Sequence, residues 1–193
     1  MVEIQTEWLV AARKGDRDAF GRVVEAFQSP VYNLCYRMLG NSGDAEDAAQ
    51  ESFWRAYQGL PKYDFQRSFG TWMLSIAAHY CIDRLRRKRI TFLSLESLLP
   101  EEDVPDAAPS PETVTSRHQE REAVQELLKS INPEERAMIV MRYWYDMSYE
   151  EIGQTLSCSV SAVKSRLHRA RRSLADRMGA NALTPVLAGG GHD

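Results

Sequence analysis

The chain has 193 residues, 44% of them hydrophobic and 26% charged, and a formal net charge of −3. That length supports one large domain or two small ones with a usable core, and the slight acidity excludes a uniformly basic nucleic-acid binder, so any DNA contact must be local. The polar start Met1-Val2-Glu3-Ile4-Gln5 does not read as a signal peptide, and no apolar run of about 18 residues is present to span a membrane.

Thr6 to Lys14 reads as a short helix stopped by Gly15, and Asp16 or Asp18 caps the next. Phe20, Val23, Val24 and Phe27 recur at helical spacing up to Ser29-Pro30, which is either a kink or a fresh start. The apolar set resumes at Val31, Leu34, Cys35, Met38 and Leu39 until Gly40 and Asn41 close it. Ser42-Gly43 opens a helix over 44–58, with Ala45, Ala48, Ala49, Phe53 and Ala56 on a narrow apolar side. Asp44, Glu46, Asp47, Gln50 and Glu51 crowd its first half. The helix dipole accounts for the first acids but less well for Glu51, which leaves a protein-facing polar surface open.

Tyr63, Asp64, Phe65, Gln66, Arg67 and Ser68 form a loop with two aromatics, an unusual cost for a plain connection. One long helix over 69–89 follows, with Leu74, Ala77, Ala78, Cys81 and Leu85 on its core side and Trp72, Ser75, His79, Asp83 and Arg86 on another. A tryptophan, a histidine and terminal arginines on one line would suit single-stranded bases, with rings to stack on and cations for the backbone. Taken singly, Trp72 is better read as a core residue and His79 as a surface or satisfied histidine. Arg84 to Arg89 holds five cations in six residues, whereas Glu96 to Glu112 has six acids and no cation, so opposite charges sit on separate surfaces. Pro100, Pro105, Pro109 and Pro111 among these acids describe an extended linker.

Residues 112–130 form the next helix. Asn132-Pro133 starts another, because proline at the first helical position loses no intrahelical bond. Ser148 with Glu151 three residues on is a capping box, and Ser157-Cys158-Ser159 is a short turn into a further helix that Ser159 caps and Gly179 ends. The two helices flanking that turn have the dimensions of a helix-turn-helix. In the second, Val160, Val163, Leu167, Ala170 and Leu174 make one apolar stripe and leave Lys164, Ser165, Arg166, His168, Arg169, Arg171 and Arg172 outside it. Such a helix can lie in a DNA major groove, and a solvated cationic face is the plainer alternative. No strand is expected anywhere, and the tail from 179 reads as disordered. Cys35, Cys81 and Cys158 are odd in number and unpaired in spacing, which argues for a reducing compartment. The first two read as small buried hydrophobes and the third as a turn residue.

Three segments together resemble one family. Cys35 to Asn41 with Asp44 to Phe53 is similar to the segment by which bacterial sigma factors grip RNA polymerase. Phe69 to Ala77 with Asp83 to Arg87 resembles their promoter-melting and minus-ten-reading helix. Ser148 to Ile152 with Val163 to Arg171 resembles their minus-thirty-five reader. The subfamily is the extracytoplasmic-function (ECF, group 4) sigma factors, and the match covers residues 6–90 and 117–177 in the family's order.

The resemblance implies an all-α fold of two small helical domains: sigma region 2 over 1–90 and sigma region 4 over 117–178, joined by a flexible linker over 91–116. It implies no enzymatic activity, no cofactor, no metal and no small-molecule substrate, and a cytoplasmic chain that is monomeric when free. Its partners would be the β and β′ subunits of core polymerase, promoter DNA, and an anti-sigma factor that could tether it to a membrane. Asp44, Glu46, Asp47, Gln50 and Glu51 would face the polymerase. Tyr63, Asp64, Phe65, Trp72, His79, Arg84, Arg86 and Arg87 would serve the minus-ten strand, one base of which leaves the stack for a pocket. Lys164, Ser165, Arg166, His168 and Arg169 would read the minus-thirty-five duplex. Relatives often carry Pro, Gly and Thr where this chain has Ser159, Ser161 and Ala162, and asparagine at His79, which leaves the base preferences open. Two other readings stand beside this one: a dimeric helix-turn-helix regulator, for which no clear heptads are present, and an enzyme using Cys35 or Cys81 with His79, for which no supporting motif is present.

Overall fold

The structure, a computed structural model, describes residues 4–96 and 116–178. Its helices run α1 Thr6–Arg13, α2 Arg17–Leu39, α3 Ser42–Gly59, a 3-10 turn Leu60–Lys62, α4 Phe69–Glu96, α5 Ser116–Lys129, α6 Pro133–Trp144, α7 Tyr149–Thr155 and α8 Val160–Met178. Most of the expected linker, and all of the expected tail with its stop at Gly179, lie outside the described residues.

The starts follow local chemistry. The Asp16 side chain accepts from the Ala19 N–H, Asn41 from Asp44 and Asn132 from Glu135, each satisfying a donor the first helical turn leaves orphaned. The Ser148–Glu151 capping box is fully formed. Gly40 ends α2 in the left-handed region at φ 84°, where a side chain would be strained.

Two expectations are corrected. Pro30 begins no new helix, since α2 runs through it. Losing one backbone bond there costs about 3 kcal/mol. Val23, Phe27, Val31, Leu34 and Met38 are all buried on one stripe on both sides of it, each worth about 1.5–3 kcal/mol. Helix α4 passes its expected end at Arg89 and reaches Glu96, because no breaker follows before Pro100 and the Thr91 hydroxyl bonds back to the Arg87 carbonyl at 3.1 Å.

In the front half α1, α3 and α4 pack around α2, while in the second half α6, α7 and α8 form a three-helix unit. The two halves also meet: α6 lies against α2 and α4, α5 against α2, and α7 against α4, so buried side chains of both form one continuous core. Arg136 of α6 is 5% exposed, and its guanidinium donates to the carbonyls of Met38 at the end of α2, Lys129 and Ile131. Desolvation lowers its pKa to about 10. The Tyr145 hydroxyl donates to the Pro30 carbonyl at 2.5 Å, the Arg37 guanidinium lies 4.9 Å from the Trp144 ring centre, and Thr71 donates to Glu151 at 2.9 Å.

Two glycines separate backbone need from accident. A Cβ at Gly153 would lie 2.7 Å from the Cys158 carbonyl oxygen, the atom around which the turn closes, whereas one at Gly21 meets nothing within 4 Å. Gly153→Ala is expected to destabilise the chain by about 1–3 kcal/mol, and Gly21→Ala to stabilise it by about 0.5–1 kcal/mol. Urea denaturation of the three proteins checks both signs.

Candidate polymerase and nucleic-acid interfaces

Helix α3 presents its acids through a set of local bonds. Asn41 caps it, accepting from the Asp44 N–H at 2.7 Å and donating to the Asp44 carboxylate at 2.6 Å. The Asn41 bond, with help from Arg84, holds the Asp44 carboxyl below its ordinary pKa although partial burial opposes this. Arg84 of α4 is ion-paired to Asp44 and lies 3.8 Å from Asp47, and Glu51 pairs with Arg55 at 2.8 Å. Of the five expected polymerase-facing residues, then, Glu46, Asp47 and Gln50 are exposed, while Asp44 and Glu51 are half-buried and serve internal pairs. Arg84, of the expected minus-ten set, is half-buried and its charge braces α4 against α3.

The aromatic loop is a built structure. Tyr63 is 5% exposed, beneath the loop, with its ring centre 5.3 Å from Phe65, 5.4 Å from Phe69 and 4.8 Å from Trp72. Its hydroxyl donates to the Arg67 carbonyl. Asp64 accepts from the Gln66 N–H at 2.9 Å, and the Arg67 N–H donates to the Asp64 carbonyl at 3.0 Å. Tyr63 is therefore a floor under the loop, with no face available for stacking. Phe65 is half-buried, and Trp72 is half-buried against Gly59, where an added Cβ would come within 3.2 Å of the indole. His79 is exposed with Nδ1 2.8 Å from the Ser75 carbonyl, and Arg87 is exposed with Nε 3.4 Å from the Asp83 carbonyl. Arg86, also exposed, is ion-paired to Glu134 of α6.

On α8, Lys164, Ser165, His168 and Arg169 are exposed, while Arg166 is half-buried and bonded to the other oxygen of Glu134 at 2.7 Å. Ser159 caps the helix by accepting from the Ala162 N–H at 3.2 Å. Behind it the Tyr149 ring lies under Lys164 and Arg142, whose charged groups are 5.5 and 5.2 Å from its centre, so α7 orients Lys164.

Sequence reasoning missed three features. Arg13 of α1 lies over the Phe65 ring at 5.4 Å. Trp54 is 56% exposed on the polar side of α3 and stacks on Tyr57, a pairing that the i, i+3 spacing could have shown. Glu134 joins Arg86 to Arg166, and no local pattern announces it.

The Cys35 and Cys81 thiols are buried against each other, and their mutual hydrogen bond, followed by burial, pushes the Cys81 thiol far up, which suits a core residue and not a nucleophile. Among the described residues there is no group of three or more His, Cys, Asp or Glu side chains that could hold a metal, and no helix long and apolar enough to cross a membrane.

Comparison with known proteins adds the following. Residues 23–90 match the family model described as Sigma-70 region 2, and residues 121–174 match Sigma-70, region 4. The chain is 36% identical over 168 residues to the ECF RNA polymerase sigma factor SigW of Bacillus subtilis, a match spanning 84% of this chain and 90% of that protein. The fold is shared with CnrH, solved in complex with the cytosolic domain of CnrY, at a TM-score of 0.65, 23% identity and coverage of 91% and 97% of the two chains. It is also shared with RpoE, solved with the anti-sigma factor NepR from Bartonella quintana, at a TM-score of 0.64, 16% identity and coverage of 84% and 98%.

Glu151 supplies a pH test. Burial alone would raise its pKa, but bonds from the Ser148 backbone, the Thr71 hydroxyl and the Ser148 side chain outweigh this and hold it low. A depressed folded value stabilises the fold above the unfolded value, near 4.3, and that contribution is lost as pH falls through the folded one. The difference in melting temperature between the wild type and Glu151→Gln is therefore expected to be full above about pH 5 and to shrink as the medium is acidified below about pH 4.

Proposed function

The chain belongs to the ECF RNA polymerase sigma factors, and on that premise we propose which of its surfaces does which part of the work. A sigma factor binds core polymerase, directs it to promoters and takes part in initiation. The exposed acids Glu46 and Asp47, with Gln50, form the polymerase-facing surface of α3. Asp44 acts behind it, holding α3 against α4 through Arg84, while Glu51 is held by Arg55 on α3 itself.

The loop over 63–68 and the face of α4 bearing His79 receive one unstacked base of the non-template minus-ten strand. Tyr63 sets the floor, the loop's own bonds hold it open in advance, and Arg86 and Arg87 neutralise phosphates beyond it. Preorganisation matters because unstacking a base costs a few kcal/mol, which only a pocket already in shape can offset.

Lys164, Ser165, Arg166, His168 and Arg169 read and hold the minus-thirty-five duplex, with α7 across the backbone. The observation that carries this assignment is the helix-turn-helix itself: a capping box, a closed turn and a second helix whose exposed face carries Lys164, Arg169, Arg172 and Arg177. The matches on both halves disfavour a stand-alone regulator, for which the front half would need some other task. By analogy with RpoE, solved with its anti-sigma factor NepR, an anti-sigma protein is proposed to restrain this chain by covering the same surfaces.

Run-off transcription with added core enzyme tests the whole reading: specific initiation with the chain present, none without it. Glu46→Lys combined with Asp47→Lys is expected to weaken association with core at least about tenfold, equivalent to about 1.4 kcal/mol, with the melting temperature within 2 °C of the wild type. Arg169→Ala is expected to lose about 1–3 kcal/mol of minus-thirty-five binding, read by competition with unrelated duplex.

A further inference from the structure

A cavity of about 790 Å³ opens between α2, α5 and α6, lined by none of the residues assigned above to DNA or polymerase. Its size suits a small molecule, for which sites of about 300–1,000 Å³ are usual. Three aromatic side chains line it. Tyr32 and Tyr36, one turn apart on α2, stack on each other with ring centres 6.2 Å apart and planes at 19°. Trp144, at the end of α6, is 36% exposed beside them. Rings left open in this way accept a further flat ring, because every aromatic face can stack.

The charges point to an anion. Arg37 of α2 and Arg121 of α5 both line the cavity, and Arg37 is half-buried. Its guanidinium donates to the Asn33 carbonyl at 3.1 Å and lies over the Trp144 ring, and no carboxylate among the described residues pairs with it. Burial lowers the Arg37 pKa, Tyr145 opposes this, and the neighbouring charge of Arg121 lowers it further. Elsewhere such arginines are answered from within the chain, Arg84 by Asp44 and Arg166 by Glu134. Here Glu122, exposed, is the one acid among the described lining residues, so the two cations outnumber it. Ser42, on the same wall, is the first residue of α3 and brings that helix's positive end to the cavity.

Gln125 of α5 supplies the third feature. It lines the cavity, is 7% exposed, and its Oε1 has no hydrogen-bond partner. A buried acceptor left unpaired is costly, so a ligand N–H that reaches it is favoured. A glutamine amide carries an acceptor and a donor side by side, the pair that complements the N6–H and N7 edge of adenine. Guanine presents acceptors at both positions and would leave the amide oxygen unpaired. We propose that this cavity binds an adenine nucleotide, with the base against the aromatic rings, its amino edge on Gln125 and its phosphate between Arg37 and Arg121. The site shares no residue with the DNA-reading or polymerase-facing sets, so it goes beyond the sigma-factor reading and does not rest on it.

The test is calorimetric titration of the full chain, without core, with adenosine monophosphate, guanosine monophosphate, adenosine and inorganic phosphate. Saturable binding of adenosine monophosphate is expected, at least about fivefold tighter than that of guanosine monophosphate. Adenosine, which lacks the anion, is expected to bind at least about tenfold more weakly. Arg121→Gln, at an exposed position, is expected to bring adenosine monophosphate down to the adenosine level and to leave adenosine itself unchanged. Gln125→Leu is expected to abolish the preference for adenine over guanine with a melting temperature no lower than the wild type, because it deletes the unpaired acceptor. No saturable binding of adenosine monophosphate at about 1 mM, or equal affinity for inorganic phosphate, overturns the proposal. So does wild-type affinity in Arg121→Gln or wild-type selectivity in Gln125→Leu. Run-off transcription with core judges the family reading separately and is untouched by these results.

Discussion

A single buried guanidinium organises this molecule. Arg136 is taken out of water in the first turn of α6, and its hydrogen bonds run to three backbone carbonyls, of which Met38 belongs to the far half of the chain. Its Nε is buried without a partner, so the bonds made by the two terminal nitrogens must carry the charge, and losing one of them would leave a further donor unsatisfied. The cation also sits at the C-terminal end of α2, where the helix dipole favours it. Gly40 at that end leaves room for the Lys129 side chain, which approaches closely enough that an added Cβ would meet it at 2.7 Å. The register of α5 and α6 on α2 follows from these few atoms, and the positions of α7 and α8 follow from α6.

Charge is used economically throughout. Cations that a sequence reader would assign to solvent or to DNA are already partnered: Arg84 by Asp44, Arg55 by Glu51, Arg166 and Arg86 by Glu134. Most of these pairs are partly exposed and contribute little stability, so their role is directional. They fix which acids and which bases remain turned outward. On α3 those include Glu46 and Asp47; on α8 they are Lys164, Arg169, Arg172 and Arg177. A net charge near zero is then compatible with one acidic and one basic contact surface.

The sequence exposed whatever was local. Asp16, Asn132, Ser148 and Ser159 were legible as caps because a cap and its donor lie within three residues, and the stripe from Val163 to Leu174 was legible because helical periodicity needs only a short window. Tyr63 was not, since nothing in its neighbours says that its hydroxyl will turn inward to the Arg67 carbonyl. Pro30 was ambiguous for a related reason: local propensity allowed a kink or a fresh start, and packing on both sides kept one helix running through it. Arg136 and Glu134 were invisible in principle. The acceptor of one lies 98 residues away and a partner of the other 48, and such distances leave no periodic trace in the chain.

The three thiols are sorted by burial in a way that matters at the bench. Cys35 and Cys81 are sealed in the core against each other, while Cys158 stands partly open at the elbow between α7 and α8. An alkylating reagent offered to the native fold therefore meets one attachment point, at the hinge of the duplex-reading module. The backbone of the same residue already forbids a methyl group at Gly153, so the natural handle sits in a turn with little room to give.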